Sequence, residues 1–196
     1  MARKTTLRVL QVSAVIMLGL GLMSCATSPK STSYIEEHRA SLRAMVSQTL
    51  TQLYQKHPDA RAVVANSAGY AVFSDFGFKV WTAGGANGKG VAVNNATKEE
   101  TFMKMLELQP GMGLGVTKFR LVFLFATTEA LNKFVTSGWE FGANAMAAAQ
   151  SKTTGGALAG AVSLSKDVEL YQLNESGLIV GVSVTAAKFS QDKQLN

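Results

Sequence analysis

The sequence contains few of the residues from which catalytic and metal sites are usually built. Its 196 residues include one cysteine and two histidines, and a single cysteine forms no disulfide within its own chain. His38 and His57 have neither a cysteine nor a carboxylate partner at the spacing of a metal site. No serine lies in a nucleophile elbow, and the carboxylate pairs suit solvent-exposed caps and turns. The sequence therefore predicts a protein that is not an enzyme and that binds no metal and no cofactor.

Charged and aromatic side chains are also scarce. Charged residues make up 16% of the chain, against roughly 25% in typical soluble domains, and aromatic residues make up 8%. With 47% apolar residues and 18 glycines, the composition excludes a disordered chain or a coiled coil and favours sheet and turns. The net charge of +6 would suit a nucleic-acid partner, but Arg3, Lys4 and Arg8 belong to a targeting segment. No nucleic-acid partner is predicted.

Two glycine-rich stretches lack the spacing of nucleotide sites. Residues 84–90 (GGANGKG) have neither the first glycine of a P-loop nor the Ser or Thr that follows its lysine. Residues 111–115 (GMGLG) lack the third glycine of a dinucleotide-binding fingerprint. Both stretches are interpreted as turn or bulge glycines.

The N-terminus has the pattern of a bacterial lipoprotein signal peptide. The basic residues named above precede an apolar stretch, residues 9–22, which is too short for a membrane span of about 20 residues. The segment Leu22-Met23-Ser24-Cys25 then resembles a lipobox, which is cleaved before the cysteine that receives the lipid. The alternative is an ordinary signal peptide followed by an incidental cysteine, or an uncleaved anchor.

This resemblance divides the chain into three parts. Residues 1–24 are the predicted signal peptide, residues 25–32 a lipidated tether, and residues 33–196 a single domain. The resemblance implies attachment to a membrane through acyl chains such as palmitate on Cys25. Because Ala26 rather than Asp follows the cysteine, it also implies a location at the outer membrane, facing the periplasm.

The periodicity of the remaining chain predicts one long helix followed by a sheet. Apolar residues at helical spacing behind Ser33 (N-cap) and Glu36 (N3) predict an amphipathic helix of about five turns that ends at His57-Pro58. Apolar runs then predict strands, and one short helix is expected at residues 128–136. The expected strands are residues 71–73, 76–82, 91–93, 101–108, 113–126, 138–142, 168–173 and 178–189, with a glycine-rich turn at 84–90.

The predicted fold is mainly β with α (α+β). Many short strands without long intervening helices favour an antiparallel sheet that closes or nearly closes. Glycines within the strands permit sharp bends and close approach of another backbone, at Gly77, Gly115, Gly142 and Gly181. We expect a small glycine-bent antiparallel β-barrel or sandwich with an N-terminal amphipathic helix and short surface helices.

The order of four sequence motifs resembles that of the SYLF domain. The motifs are residues 69–73 (GYAVF) with 88–91 (GKGV), 121–125 (LVFLF) with 128–134 (TEALNKF), 138–143 (GWEFGA), and 177–183 (GLIVGVS). The resemblance spans residues 46–189 and implies a β-rich core with surface helices that binds anionic lipids, including phosphoinositides. Eukaryotic members are also called actin-binding, a property that does not transfer to a periplasmic protein.

Cations on or beside the predicted strands and loops are the candidate headgroup-binding residues: Lys79, Lys89, Lys118, Arg120 and Lys152. Lys118 and Arg120 are two residues apart and share a strand face, so together they offer two phosphate donors. The alternative is that each of these residues is an ordinary surface cation. Arg39 and Arg43 would reach headgroups if the first helix lay at a membrane interface.

The sequence as a whole predicts a lipid-anchored envelope protein that binds anionic lipid headgroups or phosphoinositides weakly and without catalysis. Weak affinity suffices because tethering supplies a high effective concentration. The alternative is a structural or scaffolding lipoprotein whose barrel surface recognises an envelope protein. Exposed apolar residues without nearby cations would favour that alternative.

Overall fold

The computed structural model describes residues 32–81, 83–108, 113–141, 160–174, 177–178 and 186–196. Side-chain environments are described for residues 32–74, 87–106, 119–140, 160–173 and 187–196. The described helices are α1 (Thr32–Lys56), α2 (Ala60–Asn66) and α3 (Thr128–Ser137). The described strands are β1 (Gly69–Trp81), β2 (Ala83–Asn94), β3 (Glu100–Leu108), β4 (Gly113–Phe125), β5 (Trp139–Phe141), β6 (Val162–Ser165), β7 (Val168–Asn174), β8 (Gly177–Leu178) and β9 (Ala186–Gln191).

The described strands form one curled antiparallel sheet. Their order is β5-β9-β3-β2-β1-β4-β7-β6, and β8 pairs with β7. The long β1 lies in the middle, with its first residue, Gly69, opposite Asn94 of β2 on one side and Phe125 of β4 on the other. Strand β9 returns from the C-terminal end of the chain to lie beside β3. The predicted fold class, mainly β and antiparallel with an N-terminal helix and short helices, is confirmed.

One side of the sheet packs against α3 through a cluster of aromatic rings. Phe73 of β1 and Phe123 of β4 both contact Phe189 of β9, with ring centroids 4.9 Å and 5.1 Å away. Phe134 and Leu131 of α3 are buried on the same side, and the ring of Phe134 lies 5.5 Å from that of Phe123. We call this side the α3 face; it holds the larger of the two apolar clusters.

The opposite side of the sheet, the α1 face, packs against α1 and α2. Val46 and Leu53 of α1 and Val64 of α2 are buried there against Val72 of β1 and Val122 of β4. Side chains alternate between the two faces along each strand, as the pleat requires. The face of any strand residue therefore follows from its neighbours, and this alternation decides which cations lie together.

Three glycines of the SYLF-like motifs occupy positions with no room for a side chain: Gly69, Gly90 and Gly138. A Cβ on Gly90 would collide with the Val72 carbonyl oxygen and the Phe73 ring. Gly138 has a φ of 70°, in the region that favours glycine, and a Cβ there would collide with the Phe189 carbonyl oxygen. These glycines let neighbouring strands and α3 pack closely.

The glycine-rich turn expected at residues 84–90 is instead part of a strand. The register between β1 and β2 runs unbroken from the Gly69–Asn94 pair to the Val80–Ala83 pair. Sequence alone does not separate the two cases, because glycine serves both in turns and where another chain segment approaches a strand closely.

Most predicted elements are confirmed with small shifts at their ends. α1 ends at Lys56, and α3, β3, β4, β5 and β7 lie where the pattern placed them. Ser33 lies inside α1, which begins at Thr32, so its prediction as the N-cap is wrong. The separate strands expected at 71–73 and 76–82 are one strand, β1.

Two elements, α2 and β6, are absent from the sequence prediction. They contain seven and four residues, too few to show a clear hydrophobic period. The strand expected at 178–189 is described only at its two ends. Leu178 belongs to β8, and the residues from Ala186 onward form β9. Residues 179–185, which include Gly181, lie outside the described part of the chain. Gly142 also lies outside it.

Candidate functional site

The first half of α1 is held on β3 by two arginines. Arg39 Nε donates a hydrogen bond to the Leu195 carbonyl oxygen at 2.8 Å, and Arg43 Nε donates to Glu100 Oε2 at 2.8 Å. Both guanidinium groups also lie over the Phe102 ring, 5.5 Å and 5.6 Å from its centroid. The hydrogen bond to Glu100 raises the pKa of Arg43. These arginines therefore hold the helix on the sheet.

Arg120 holds the second half of α1. It lies in β4 on the α1 face, and its Nη1 donates to Thr49 Oγ1 at 3.1 Å and to Gln52 Oε1 at 3.3 Å. Thr49 is fully buried, so the guanidinium closes the edge of the helix–sheet interface. The structure thus gives Arg120 a clear packing role beside any role in ligand binding.

Beyond this edge the α1 face continues as a row of polar and basic positions. Arg120 is opposite Ser74 of β1, which is opposite Lys89 of β2. Lys89 is opposite Lys104 of β3, and Lys104 is opposite Ser190 of β9. The row therefore places two lysines directly across from each other on neighbouring strands.

The next row on the same face contains an exposed leucine. Leu106 of β3 is 49% exposed and lies opposite Asn87 of β2 and Lys188 of β9. Lys104 is two residues before it on the same face. Directly paired side chains on an antiparallel sheet have Cβ atoms about 5 Å apart, so these residues are neighbours. We call Lys89, Lys104, Leu106 and Lys188 the basic patch.

The carboxylates beside the basic patch pair with two of its three lysines. Lys89 Nζ lies 3.6 Å from Asp192 Oδ2, and Lys188 forms an ion pair with Glu140. The side chains of Lys188 and Glu140 are both more than half exposed, and exposed pairs contribute little to stability. Within the described part of the chain, the side chain of Lys104 forms neither a hydrogen bond nor an ion pair. The patch keeps a positive charge that an anion can approach.

The structure separates the five cations predicted as a group. Lys89 belongs to the basic patch, and Arg120 holds α1. Lys118 and Arg120 occupy positions on one face of β4, as predicted, with Lys118 opposite Phe76. Lys79 lies opposite Gly84 and Gly115. Its position in β1 belongs to the α3 face, not to the α1 face. The side chains of Lys79 and Lys118 are not among those described, and Lys152 and Cys25 lie outside the described residues.

Sequence reasoning missed Lys104 and Lys188. The alternation in β3 contained a signal, because Met103 and Met105 are buried on the α3 face and so direct Lys104 and Leu106 to the other. The pairing of β3 with β9 brings Lys188 alongside Leu106, although these two residues are 82 positions apart in sequence. No local pattern predicts that pairing.

A cavity of about 410 Å³ beside α2 holds a carboxyl with a shifted pKa. Its polar lining residues are Asn66, Ser67, Lys166, Asp167 and Glu169. Burial raises the pKa of Glu169, a property found at some catalytic acids. The one hydroxyl among these residues, that of Ser67, donates to the carbonyl oxygen of Val64 at 2.8 Å rather than to a carboxylate that could act as a base. This arrangement provides no activated nucleophile at Ser67.

Two searches for other kinds of site gave negative results in the part of the chain that the structure describes. Its helices lack the combination of length and apolar character needed to cross a bilayer. No three His, Cys, Asp or Glu side chains among the described residues come together as a metal site.

Comparison with known proteins places the chain in a family. Residues 107–196 match the model of the family described as "Ysc84: Las17-binding protein actin regulator". The chain is also 31% identical over 168 residues to Beta cell expansion factor A of Aeromonas veronii. That match covers 82% of this chain but only 59% of the relative, so the chain spans part of the relative's length. The chain belongs to the SYLF family, as its four motifs indicate.

Proposed function

We propose that this chain binds anionic lipid headgroups, including phosphoinositides, weakly and without catalysis through the basic patch. The observation that carries the proposal is the direct pairing of Lys89 with Lys104 across β2 and β3. Like charges opposite each other on a sheet destabilise the fold. A phosphate group bound between the two side chains would reduce that repulsion through charge-assisted hydrogen bonds to Lys104, whose ammonium group pairs with no described carboxylate, and to Lys89, whose Nζ lies 3.6 Å from Asp192 Oδ2.

We further propose that the protein is a lipoprotein attached through Cys25 at the periplasmic side of the outer membrane. The tether between Cys25 and α1 would be residues 26–31, which reach at most about 20 Å when extended. The domain would then stay close to the bilayer, so a weak interaction of the patch with headgroups suffices. The apolar stretch before Cys25 and the lipobox-like segment support this proposal.

The second candidate is a scaffolding role in which the sheet recognises an envelope protein. The matching family model is described as Las17-binding, which concerns a protein partner, and Leu106 is an exposed apolar residue that such a partner could cover. The surroundings of Leu106 favour lipid instead. An exposed apolar residue without nearby cations would suit a protein partner, whereas lysines lie beside this one.

Co-sedimentation with vesicles tests the proposed function. Residues 32–196 contain every described helix and strand and both apolar clusters, so this fragment is suited to the test. We expect it to pellet with vesicles of equal parts phosphatidylglycerol and phosphatidylcholine, and to be released by 0.5 M salt. We expect no pelleting with phosphatidylcholine alone. Equal pelleting with both vesicles, or none with either, would contradict headgroup binding.

A pair of charge-matched variants assigns the binding to the patch. The double variant Lys89→Gln and Lys104→Gln should weaken binding to the anionic vesicles at least tenfold, given about 1 kcal/mol for each lysine near such a surface. The control is Lys56→Gln with Lys133→Gln, which removes the same charge from exposed positions on α1 and α3. Equal losses in both variants would show that net charge, not the patch, governs binding.

A further inference from the structure

We infer that the basic patch docks directly on a bilayer and that Leu106 is the side chain that enters it. This inference rests on the proposed function and adds an orientation: the uncovered part of the α1 face lies against the membrane, with β3 and β9 nearest to it. Leu106 enters between headgroups, and Lys89, Lys104 and Lys188 contact the phosphates around it.

The exposure of Leu106 is unusual for its strand. On the same face of β3, Phe102 is only 4% exposed because the arginines of α1 cover it. Leu106 lies four residues farther along the strand, about 13 Å away, and is 49% exposed. Among the described side chains on this face of β3, Lys104 and Leu106 are therefore exposed, and one of them is a large apolar side chain.

The residues around Leu106 match the layers of a bilayer surface. Its two cross-strand neighbours are Asn87 and Lys188, and Lys104 precedes it on the same face. Lysine has a long apolar stem and a charged end, so the ammonium groups can lie at the phosphate level around a more deeply placed leucine. Basic residues close to an anionic leaflet are also attracted by its negative surface potential.

The same composition argues against a protein partner at this surface. The central parts of protein–protein interfaces are depleted in lysine, because desolvating an ammonium group is costly. Here three lysines surround one apolar side chain, and Lys89 and Lys104 face each other. A surface that carries many mobile negative charges satisfies all three at once, as an anionic bilayer does.

The start of α1 lies on the side of the molecule required for a membrane anchor. Arg39 contacts Leu195 and lies over Phe102, so this part of the helix sits on the α1 face above β3. Thr32 begins the helix seven residues earlier, about 10 Å away along its axis. A tether that leaves from Thr32 can therefore reach the same bilayer that the patch contacts.

A fluorescent probe at position 106 tests this orientation. The fragment 32–196 contains no cysteine, so Leu106→Cys introduces one thiol for an environment-sensitive dye. With vesicles of equal parts phosphatidylglycerol and phosphatidylcholine, we expect a blue shift and increased emission. The matched control is Asn132→Cys, an exposed position on α3, which should give no shift.

The result separates the orientation from the proposed function. An unchanged spectrum at position 106 while the labelled fragment still pellets would overturn the orientation but leave headgroup binding intact. A shift at Asn132→Cys equal to that at Leu106→Cys would overturn it as well. If the unlabelled fragment does not pellet with the anionic vesicles, both the function and the orientation fail.

An unlabelled variant gives an independent readout. Leu106→Ser should weaken binding to the anionic vesicles about fivefold, because it removes part of a leucine-sized apolar contact with lipid. The loss factor should be the same at low and moderate salt, since apolar burial is not screened, and the melting temperature should not fall. A loss of less than twofold, or one that disappears as salt is raised, would contradict insertion of Leu106.

Discussion

At the scale of single residues, the structure divides the cations of the α1 face into two kinds. Arg39, Arg43 and Arg120 hold α1 in place through hydrogen bonds from Arg39 to the Leu195 carbonyl, from Arg43 to Glu100 of β3, and from Arg120 to Thr49 of the helix. Lys89 and Lys104 are exposed and face one another. Arginine suits the first role because its planar group forms several directed hydrogen bonds, whereas lysine presents a compact charge to solvent.

Gly90 provides a test of close packing at one residue. Gly90→Ala should lower the free energy of unfolding by about 1–3 kcal/mol, because the added methyl group collides with the Val72 carbonyl oxygen and the Phe73 ring. Urea unfolding followed by circular dichroism measures the change. Ala96→Ser, at an exposed position in the turn after β2, should leave stability within about 0.5 kcal/mol. A Gly90→Ala variant as stable as the wild type would show that β1 and β2 separate easily.

The carboxyl of Glu169 provides a test of pH dependence. Burial raises the pKa of Glu169 above its ordinary value of 4.5, so the folded state holds its proton more tightly than the unfolded state does. Its contribution to stability is therefore greatest at low pH and declines as pH rises through the raised value. Glu169→Gln removes this decline.

Thermal melting across pH measures the effect of Glu169→Gln. At pH 7 the variant should melt at a higher temperature than the wild type. The difference should shrink as pH falls below 4.5, where the wild-type carboxyl is protonated in both states. Asp59→Asn, at an exposed carboxyl beside α2, is the comparison variant. A difference that is constant from pH 4 to pH 8 would show that the amide acts through packing rather than through ionisation.

At the scale of elements, local sequence patterns predicted the individual helices and strands but not how the strands pair. The helical spacing of apolar residues located α1 and α3, and alternation located β3 and β4. Alternation could not show that residues 84–90 pair with β1, because the four glycines, one alanine and two polar residues there give no hydrophobic period. The candidate site was predicted only at Lys89. Its neighbours Lys104 and Lys188 depend on the order β9-β3-β2, which arises from contacts distant in sequence.

The attachment of α1 to β3 yields a test at the scale of elements. Phe102→Ala should lower the free energy of unfolding by about 3–5 kcal/mol, because the ring is buried and supports Arg39 and Arg43. Leu106→Ala, on the same strand and face, is the matched control and should cost little because Leu106 is half exposed. Chemical unfolding of both variants measures the difference. If both variants lose a similar free energy of unfolding, α1 does not cover the Phe102 end of β3 selectively.

At the scale of the whole molecule, the two faces of the sheet have different tasks. The α3 face holds the aromatic core, in which Phe73, Phe123 and Phe189 contact one another. Among the described residues of the α1 face, one group is buried beneath α1 and α2, and the exposed ones include the basic patch. Stability and the proposed lipid binding therefore depend largely on different residues, so we expect that patch lysines can be changed without unfolding the protein.

The proposed lipid anchor makes a prediction for the complete protein in a bacterial cell. If Cys25 carries the lipid, the wild-type protein should remain in the membrane fraction after a wash in 1 M salt and should dissolve only in detergent. In a Cys25→Ala variant whose residues 1–24 are replaced by an ordinary cleavable signal peptide, the patch alone would hold the protein at the bilayer. Salt screens contacts between exposed charges to within about 3 Å at 1 M, so the same wash should release the variant.

Adding Lys89→Gln and Lys104→Gln to Cys25→Ala completes this test. Without anchor or patch, the protein should be soluble at low salt, whereas the two lysine substitutions alone should leave the anchored protein in the membrane. This ordering follows because acyl chains and exposed lysines contribute separately to membrane binding, the first by apolar burial and the second by charge. Retention of the Cys25→Ala variant after the salt wash, once residues 1–24 are replaced by an ordinary cleavable signal peptide, would instead show that Cys25 is not what anchors the chain.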